Sequence, residues 1–153
     1  MGQYFIDRTH YTKTDHFSCA VEGEIHMRLV PHVYRHEVYA GQSFLEDDWR
    51  NPGMSRSMDL MPRESPVNLF NNDFETFPKS RHITKEHKYS VTLKRGDCIF
   101  IPAFYFYQFA GEAAVQEKKG PYKPHAIMVN IHYKGNSDML RAFYNAVETK
   151  VLE

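Results

Sequence analysis

FSCAVEGEIHMRLV, residues 17–30, reads as two short strands joined at a glycine. Phe17, Cys19 and Val21 alternate with Ser18, Ala20 and Glu22, and Ile25, Met27 and Leu29 then alternate with His26, Arg28 and Val30. A period of two places each set on one face of a pleated strand. Gly23 can adopt positive φ without a side-chain clash, as a compact VEGE turn requires. Pro31 has no amide hydrogen for a ladder and ends the second strand.

The same alternation recurs further along. Tyr89, Val91 and Leu93 predict a strand that the turn residues of KRGD lead into CIFI, and AIMVNIHY, residues 126–133, predicts another. Between these, IPAFYFYQ, residues 101–108, sets Phe104, Tyr105, Phe106 and Tyr107 in a row behind a proline. Residues 41–64 are polar and carry Pro52, Gly53 and Pro62, predicting an irregular excursion with at most one helical turn, anchored by Phe44, Leu45 and Trp49. Phe74 and Phe77 predict a turn or short helix closed by Pro78, and residues 112–124 a solvent-facing loop. The tail carries the one helical pattern: Ser137 as cap, then Leu140, Phe143, Tyr144, Val147 and Val151 at three-to-four spacing. Many short strands followed by one helix predict a mainly β sandwich or barrel over residues 1–136, with a C-terminal amphipathic α-helix over 137–153.

Nineteen basic residues balance nineteen acidic ones in a chain of 153, so no overall field draws it to nucleic acid or to an anionic membrane. No run approaches the roughly 18–20 apolar residues of a spanning helix, and no membrane span is expected. Cys19 and Cys98 sit in apolar runs with neither a CxxC spacing nor a signal-peptide pattern before them. They read as reduced buried thiols, which implies an intracellular, reducing compartment, cytoplasmic or organellar. Aromatic residues make up 14% of the chain, enough for either a thick aromatic core or a protein-binding surface; Trp49, Phe143, Tyr144 and Val147 are the interface candidates.

Nine histidines invite a search for metal ligands. The densest run is THYTKTDH with His10, Asp15 and His16, but His10 and Asp15 have opposite parity on an extended strand and point apart. No nucleophile elbow and no glycine-rich phosphate loop is present, which argues against nucleophilic catalysis and nucleotide binding. No cofactor is expected from the residues themselves.

Four pieces taken in order resemble the cupin-like JmjC domain of the Fe(II) and 2-oxoglutarate dependent protein hydroxylases: THYTKTDHFSCAVEGEIHMRLVP, NLFNNDFETFP, LKRGDCIFIPAFYFYQF and IMVNIHYKG. The resemblance runs from about Thr9 to Gly135 and implies a double-stranded β-helix, or jelly roll. In that register His10 stands on the family's first iron ligand, Thr12 on its carboxylate and Tyr107 on its second histidine. Ile25 stands where many members keep a lysine for the co-substrate carboxylate, and Asn130 keeps a pocket-wall asparagine. A threonine hydroxyl and a phenol of ordinary pKa near 10 are poor substitutes for an anionic oxygen and an imidazole. The register therefore implies a retired site without iron and without turnover.

Family members usually carry a long segment before the first ligand, whereas this chain reaches His10 almost at once. The expectation is a pseudoenzyme acting as a structural, protein-interaction subunit, with other subunits of an assembly covering its open edges. Two alternatives stand beside it. The degenerate pocket of His10, Thr12, Tyr107 and Asn130 holds a small molecule or peptide, or a rearranged hydroxylase site draws on Asp15, His16 or His132.

Overall fold

A computed structural model describes residues 4–42, 44–47, 55–58, 63–112, 125–133 and 142–143. Ten strands carry the fold: β1 (Tyr4–Ile6), β2 (His10–Tyr11), β3 (Asp15–Glu22), β4 (Glu24–Val30), β5 (Phe44–Asp47), β6 (Ser55–Met58), β7 (Tyr89–Leu93), β8 (Cys98–Ile101), β9 (Phe106–Glu112) and β10 (Ile127–Tyr133). All pairings are antiparallel. The large sheet runs β1-β9-β4-β7 with β2 also on β9, the small sheet runs β10-β3-β8, and β5 and β6 form a separate hairpin.

Gly23 does more than turn a hairpin. The strands on either side of it do not pair with each other, because β3 lies in the small sheet and β4 in the large one. The glycine, at φ +77°, is the corner where the chain crosses between layers, and a Cβ there would come within 2.8 Å of the Glu112 carbonyl oxygen and 2.9 Å of Ala126 Cβ. The chain crosses again at KRGD, from β7 to β8, and again between β8 and β9. Successive strands in opposite sheets are the mark of a jelly roll, and they explain why alternation alone locates the strands but not their partners.

One core lies between the sheets: Ala20, Ile25, Met27, Leu29, Leu93, Ile101 and Tyr107. Burying each large aliphatic side chain here contributes about 1.5–3 kcal/mol. Neighbouring residues of a strand face opposite ways, so Phe106 points to the other side of β9 from Tyr107. There it joins Tyr11, Val30, Val38, Val67, Leu69, Ile83 and Phe104 in a second core beneath the segments that follow β4 and precede β7. Buried polar side chains pin those segments. Gln108 accepts from the Leu69 amide at 2.6 Å and donates to the Asp7 carbonyl at 2.8 Å, and the Thr9 hydroxyl donates to the Val67 carbonyl at 2.6 Å.

Several expectations are corrected. The stretch IPAFYFYQ, which reads as one aromatic strand, is divided: residues 102–105 form a turn, with Phe104 at φ 68°, and β9 starts at Phe106. Part of the polar excursion pairs as the β5–β6 hairpin. Pro78 opens a 3-10 helix, Pro78–His82, rather than closing one, since its missing amide hydrogen is not needed at a helix start. The appended helix is not part of the described fold, which is mainly β; among the described residues no α-helical element occurs, and of 137–153 only Ala142 and Phe143 are described, both helical. Trp49, Tyr144, Val147 and the loop at 113–124 lie outside the described residues.

The compartment is corrected too. Cys19 and Cys98, facing each other across β3 and β8, are joined in a disulfide. Such bonds form and persist in oxidising surroundings, so reduced thiols and a reducing compartment do not hold. The sequence separation of 79 hides a contact that only strand register creates.

Candidate degenerate cupin site

The short strand β2 is held on both sides. On one it pairs with β9, setting His10 opposite Tyr107 and Tyr11 opposite Phe106. On the other, His10 bridges Glu64, the Tyr11 amide donates to the Arg63 carbonyl at 3.0 Å and the Ser65 amide to the Thr9 carbonyl at 2.9 Å. This ladder brings His10, Thr12 and Tyr107 together. The rings of His10 and Tyr107 lie 4.5 Å apart, and the Thr12 side chain is near enough to the Tyr107 phenol to oppose the rise in its pKa.

Tyr107 is 2% exposed. Burial, followed by the charge of Asp7, pushes its pKa up to about 12, against smaller opposing effects from Thr12 and Arg63. It is a neutral phenol at any physiological pH. The Thr12 hydroxyl donates to the Thr14 carbonyl at 3.1 Å and stands 3.3 Å from His16 Nδ1. A row of rings continues inward and across the small sheet. His16 lies 5.2 Å from Tyr107 and stacks on His132 at 4.6 Å, and His132 Nδ1 is 3.1 Å from the Thr14 hydroxyl.

His16 is fully buried and its Nε2 has no hydrogen-bond partner. Its Nδ1 faces the Thr14 carbonyl at 3.5 Å, which can only accept, so the proton of the neutral ring sits on Nδ1. Desolvation first, then the proximity of His132, lowers its pKa, with a smaller lowering from His10 and partial opposition from Thr14 and Asp15. It is held as a neutral imidazole.

The remaining positions fall elsewhere. Ile25 is buried in the inter-sheet core with Tyr107. An aliphatic side chain there offers no charge to a dicarboxylate. Asn130 is an exposed residue of β10 whose side-chain oxygen accepts from the Ser18 hydroxyl at 2.8 Å. Phe143 is 62% exposed. Asp15 lies on the opposite face of β3 from His16, and its carboxylate accepts from the Ala103 amide at 2.8 Å. Of Asp15, His16 and His132, the fold brings the two histidines together and turns Asp15 away.

A cavity of about 370 Å³ opens beside His10 and Thr12, lined also by Asp7, Arg8, Tyr11, Arg63 and Glu64. The charged lining residues have no local motif to announce them. Arg63 and Glu64 reach the site only because their backbone pairs with β2. Gln108, the buried strut between β9 and two outer segments, was equally invisible as a single polar residue after the aromatics.

Two packed antiparallel sheets, with strands that alternate between them around a pocket at β2 and β9, define a cupin-type domain. The profile of the cupin-like domain family matches residues 1–139, and the chain belongs to that family. No curated protein sequence matches it. Among solved structures it is similar to a hydroquinone 1,2-dioxygenase from Sphingomonas sp. TTNP3 with 4-hydroxybenzoate bound, at 15% identity and a TM-score of 0.36. That match covers 87% of this chain but 60% of the other. Such a likeness carries no argument about chemistry.

Cupin-type enzymes hold a metal, and the residues here do not fit one. Of the three ligand positions only His10 carries an imidazole: Thr12 offers a neutral hydroxyl, and a phenol raised to about 12 at Tyr107 does not ionise to become a ligand. Among the described residues no group of three or more His, Cys, Asp or Glu is placed to hold a metal ion. Among them, too, no helix is long and apolar enough to cross a membrane.

Proposed function

We propose that this cupin-like domain, of the JmjC-like type, is a catalytically silent module that works as a protein-interaction subunit of a larger assembly. One observation carries the reading: the outer face of the small sheet is apolar. Phe17, Val21, Phe100, Val129, Ile131 and Tyr133 are all exposed there, around the Cys19–Cys98 bond. An antiparallel sheet that ends in water alternates apolar inward and polar outward. A contiguous outward apolar set of this kind marks a surface that another polypeptide covers. Silence of the pocket is supported by the residues at the family's ligand positions, a threonine hydroxyl at 12 and, at 107, a buried phenol whose pKa is pushed up to about 12.

Site-specific photocrosslinking in the native assembly tests the interface. A photoreactive residue at Phe100 should give one discrete adduct with another subunit, while the same group at Thr92, on the outer face of the large sheet, should give none. Equal labelling from both positions removes the reading. Stoichiometric iron in the purified protein, lost in a His10→Ala variant, would remove the silence.

A second reading is favoured by the cavity beside His10 and Thr12: the degenerate pocket retains a small ligand. Its walls mix two guanidinium groups with two carboxylates, which suits a small zwitterion better than a hydrocarbon. A thermal-shift screen of amino acids and dipeptides in which no compound raises the melting temperature would remove it.

A further inference from the structure

We propose that a second copy of this chain docks on the outer edge of β10, adding its own β10 antiparallel so that two three-stranded sheets become one continuous sheet. Among the described residues β10 pairs with β3 on one side and with no strand on the other. Six of its seven residues are exposed. Its sequence, IMVNIHY, contains no Lys, Arg, Asp, Glu, Pro or Gly. Proteins that keep an edge unpaired use short strands, charges, prolines or bulges for the purpose.

The other edges of the two main sheets are protected in these ways. β7 is flanked by Lys88, Lys94 and Arg95, β8 is four residues long between Asp97 and Pro102, and β1 is three residues long and runs into Asp7 and Arg8. The one irregularity in β10 lies between Ile127 and Met128, at its first residue, and leaves Met128 to Tyr133 in continuous register with β3.

The choice of a second copy follows from the order of side chains. Reversing the strand about Asn130 sets Ile127 against Tyr133, Met128 against His132, Val129 against Ile131, and Asn130 against itself. Apolar residues of the outer face meet apolar residues or the Tyr133 ring, the amide meets an amide, and the imidazole of His132 meets a thioether. No like charges oppose each other. A two-fold interface requires such self-complementarity, and directly opposed pairs are the unit of sheet stabilisation. Val129, Ile131 and Tyr133 border both this edge and the outer face discussed above, whereas Met128, Asn130 and His132 face the other way, so cysteines at these three positions report on the edge alone.

Sedimentation of the full chain under non-reducing conditions, at micromolar concentration, should give twice the chain mass. Ile131→Lys should return it to a monomer while the disulfide-linked fold still melts cooperatively. Mild oxidation of Asn130→Cys should give a covalent dimer. Met128→Cys alone should give none, but mixed with His132→Cys it should link the two variants. A monomeric wild-type chain overturns the proposal. So does a dimer that survives Ile131→Lys, or one that Met128→Cys alone can link.

Discussion

On the large sheet the outward residues of β4 and β7 include Glu24, His26, Arg28, Ser90 and Thr92, and they engage one another or the segments laid over them. His26 Nδ1 lies 3.0 Å from the Thr92 hydroxyl, and Arg28 rests over the Phe70 ring at 4.8 Å. On the small sheet the corresponding places are held by Phe17, Val21, Phe100, Ile131 and Tyr133. The rings of Phe17 and Phe100 stand 5.5 Å apart, and Tyr133 stacks on Phe17 at 6.0 Å. The inward faces differ less: Ile25, Met27, Leu29 and Leu93 on the large sheet meet Ala20 and Ile101 on the small one, where only the end near the pocket turns polar at His16 and Ser18. A fold needs its inward faces, so the freedom to make the outward faces unlike is where function has left its mark.

Substitutions on the two sides of the small sheet sharpen this contrast. Met27→Ala or Phe106→Ala, each removing a fully buried side chain, should cost about 3–5 kcal/mol in urea denaturation. Phe100→Ala, at a residue 45% exposed, should cost well under about 1 kcal/mol in the isolated chain yet abolish crosslinking in the assembly. If Phe100→Ala destabilises the isolated chain as much as Met27→Ala, the outer face is already buried within one molecule and the contrast fails.

Removing the covalent tie should have the next largest effect. Cys19→Ser with Cys98→Ser, or reduction of the native bond, should lower stability by about 2–4 kcal/mol, read as a drop in melting temperature that the doubly substituted chain no longer shows with reductant. In the pocket, Tyr107→Phe deletes the buried phenol hydroxyl beside Thr12 and should cost about 1 kcal/mol. Tyr107→His should bind no iron by elemental analysis, since Thr12 and Ile25 remain.

A smaller effect is spread over pH. His16 has a folded-state pKa below its unfolded value of 6.5, so the unfolded chain takes up its proton first as pH falls. The neutral ring's contribution is present above pH 6.5 and is lost below it, down to the depressed folded value. Melting temperature should therefore fall on acidification from pH 7.5, and His16→Gln should flatten that slope. The smallest effect belongs to the polar outer face: Thr92→Val should stay within about 0.5 kcal/mol of the native chain.

Much of the fold was legible because alternation is local. The strands at 17–30, 89–93, 98–101 and 127–133 follow from a period of two, and Gly23 and KRGD mark where they end. Partnership between strands was not legible, because it is decided by residues far apart. That is why a corner between layers looked like a hairpin and why two cysteines 79 residues apart looked unrelated. His10, Thr12 and Tyr107 could be aligned with a family's ligand positions, whereas Arg63 and Glu64 could not, because a backbone ladder with β2 carries them in. The row of aromatics misled because a residue at φ 68°, Phe104, interrupts the strand with no glycine to announce it.

The bond between Cys19 and Cys98 has a mechanical side. It closes a loop that holds β4 to β7 and the Val30, Val38, Val67, Leu69 and Ile83 part of the second core, leaving the segments before residue 19 and after residue 98 outside. A molecule stretched from its two ends would unravel those segments and then stop. Because a fully extended chain spans about 3.5 Å per residue, the 79-residue separation keeps on the order of 280 Å of length in reserve until the sulfur bridge is reduced. Tension would strip away β1, β2, β9 and β10, and with them the pocket at His10, Thr12 and Tyr107, before it reached the bridge, so only β4 to β7 inside the closed loop are shielded from any load the chain carries.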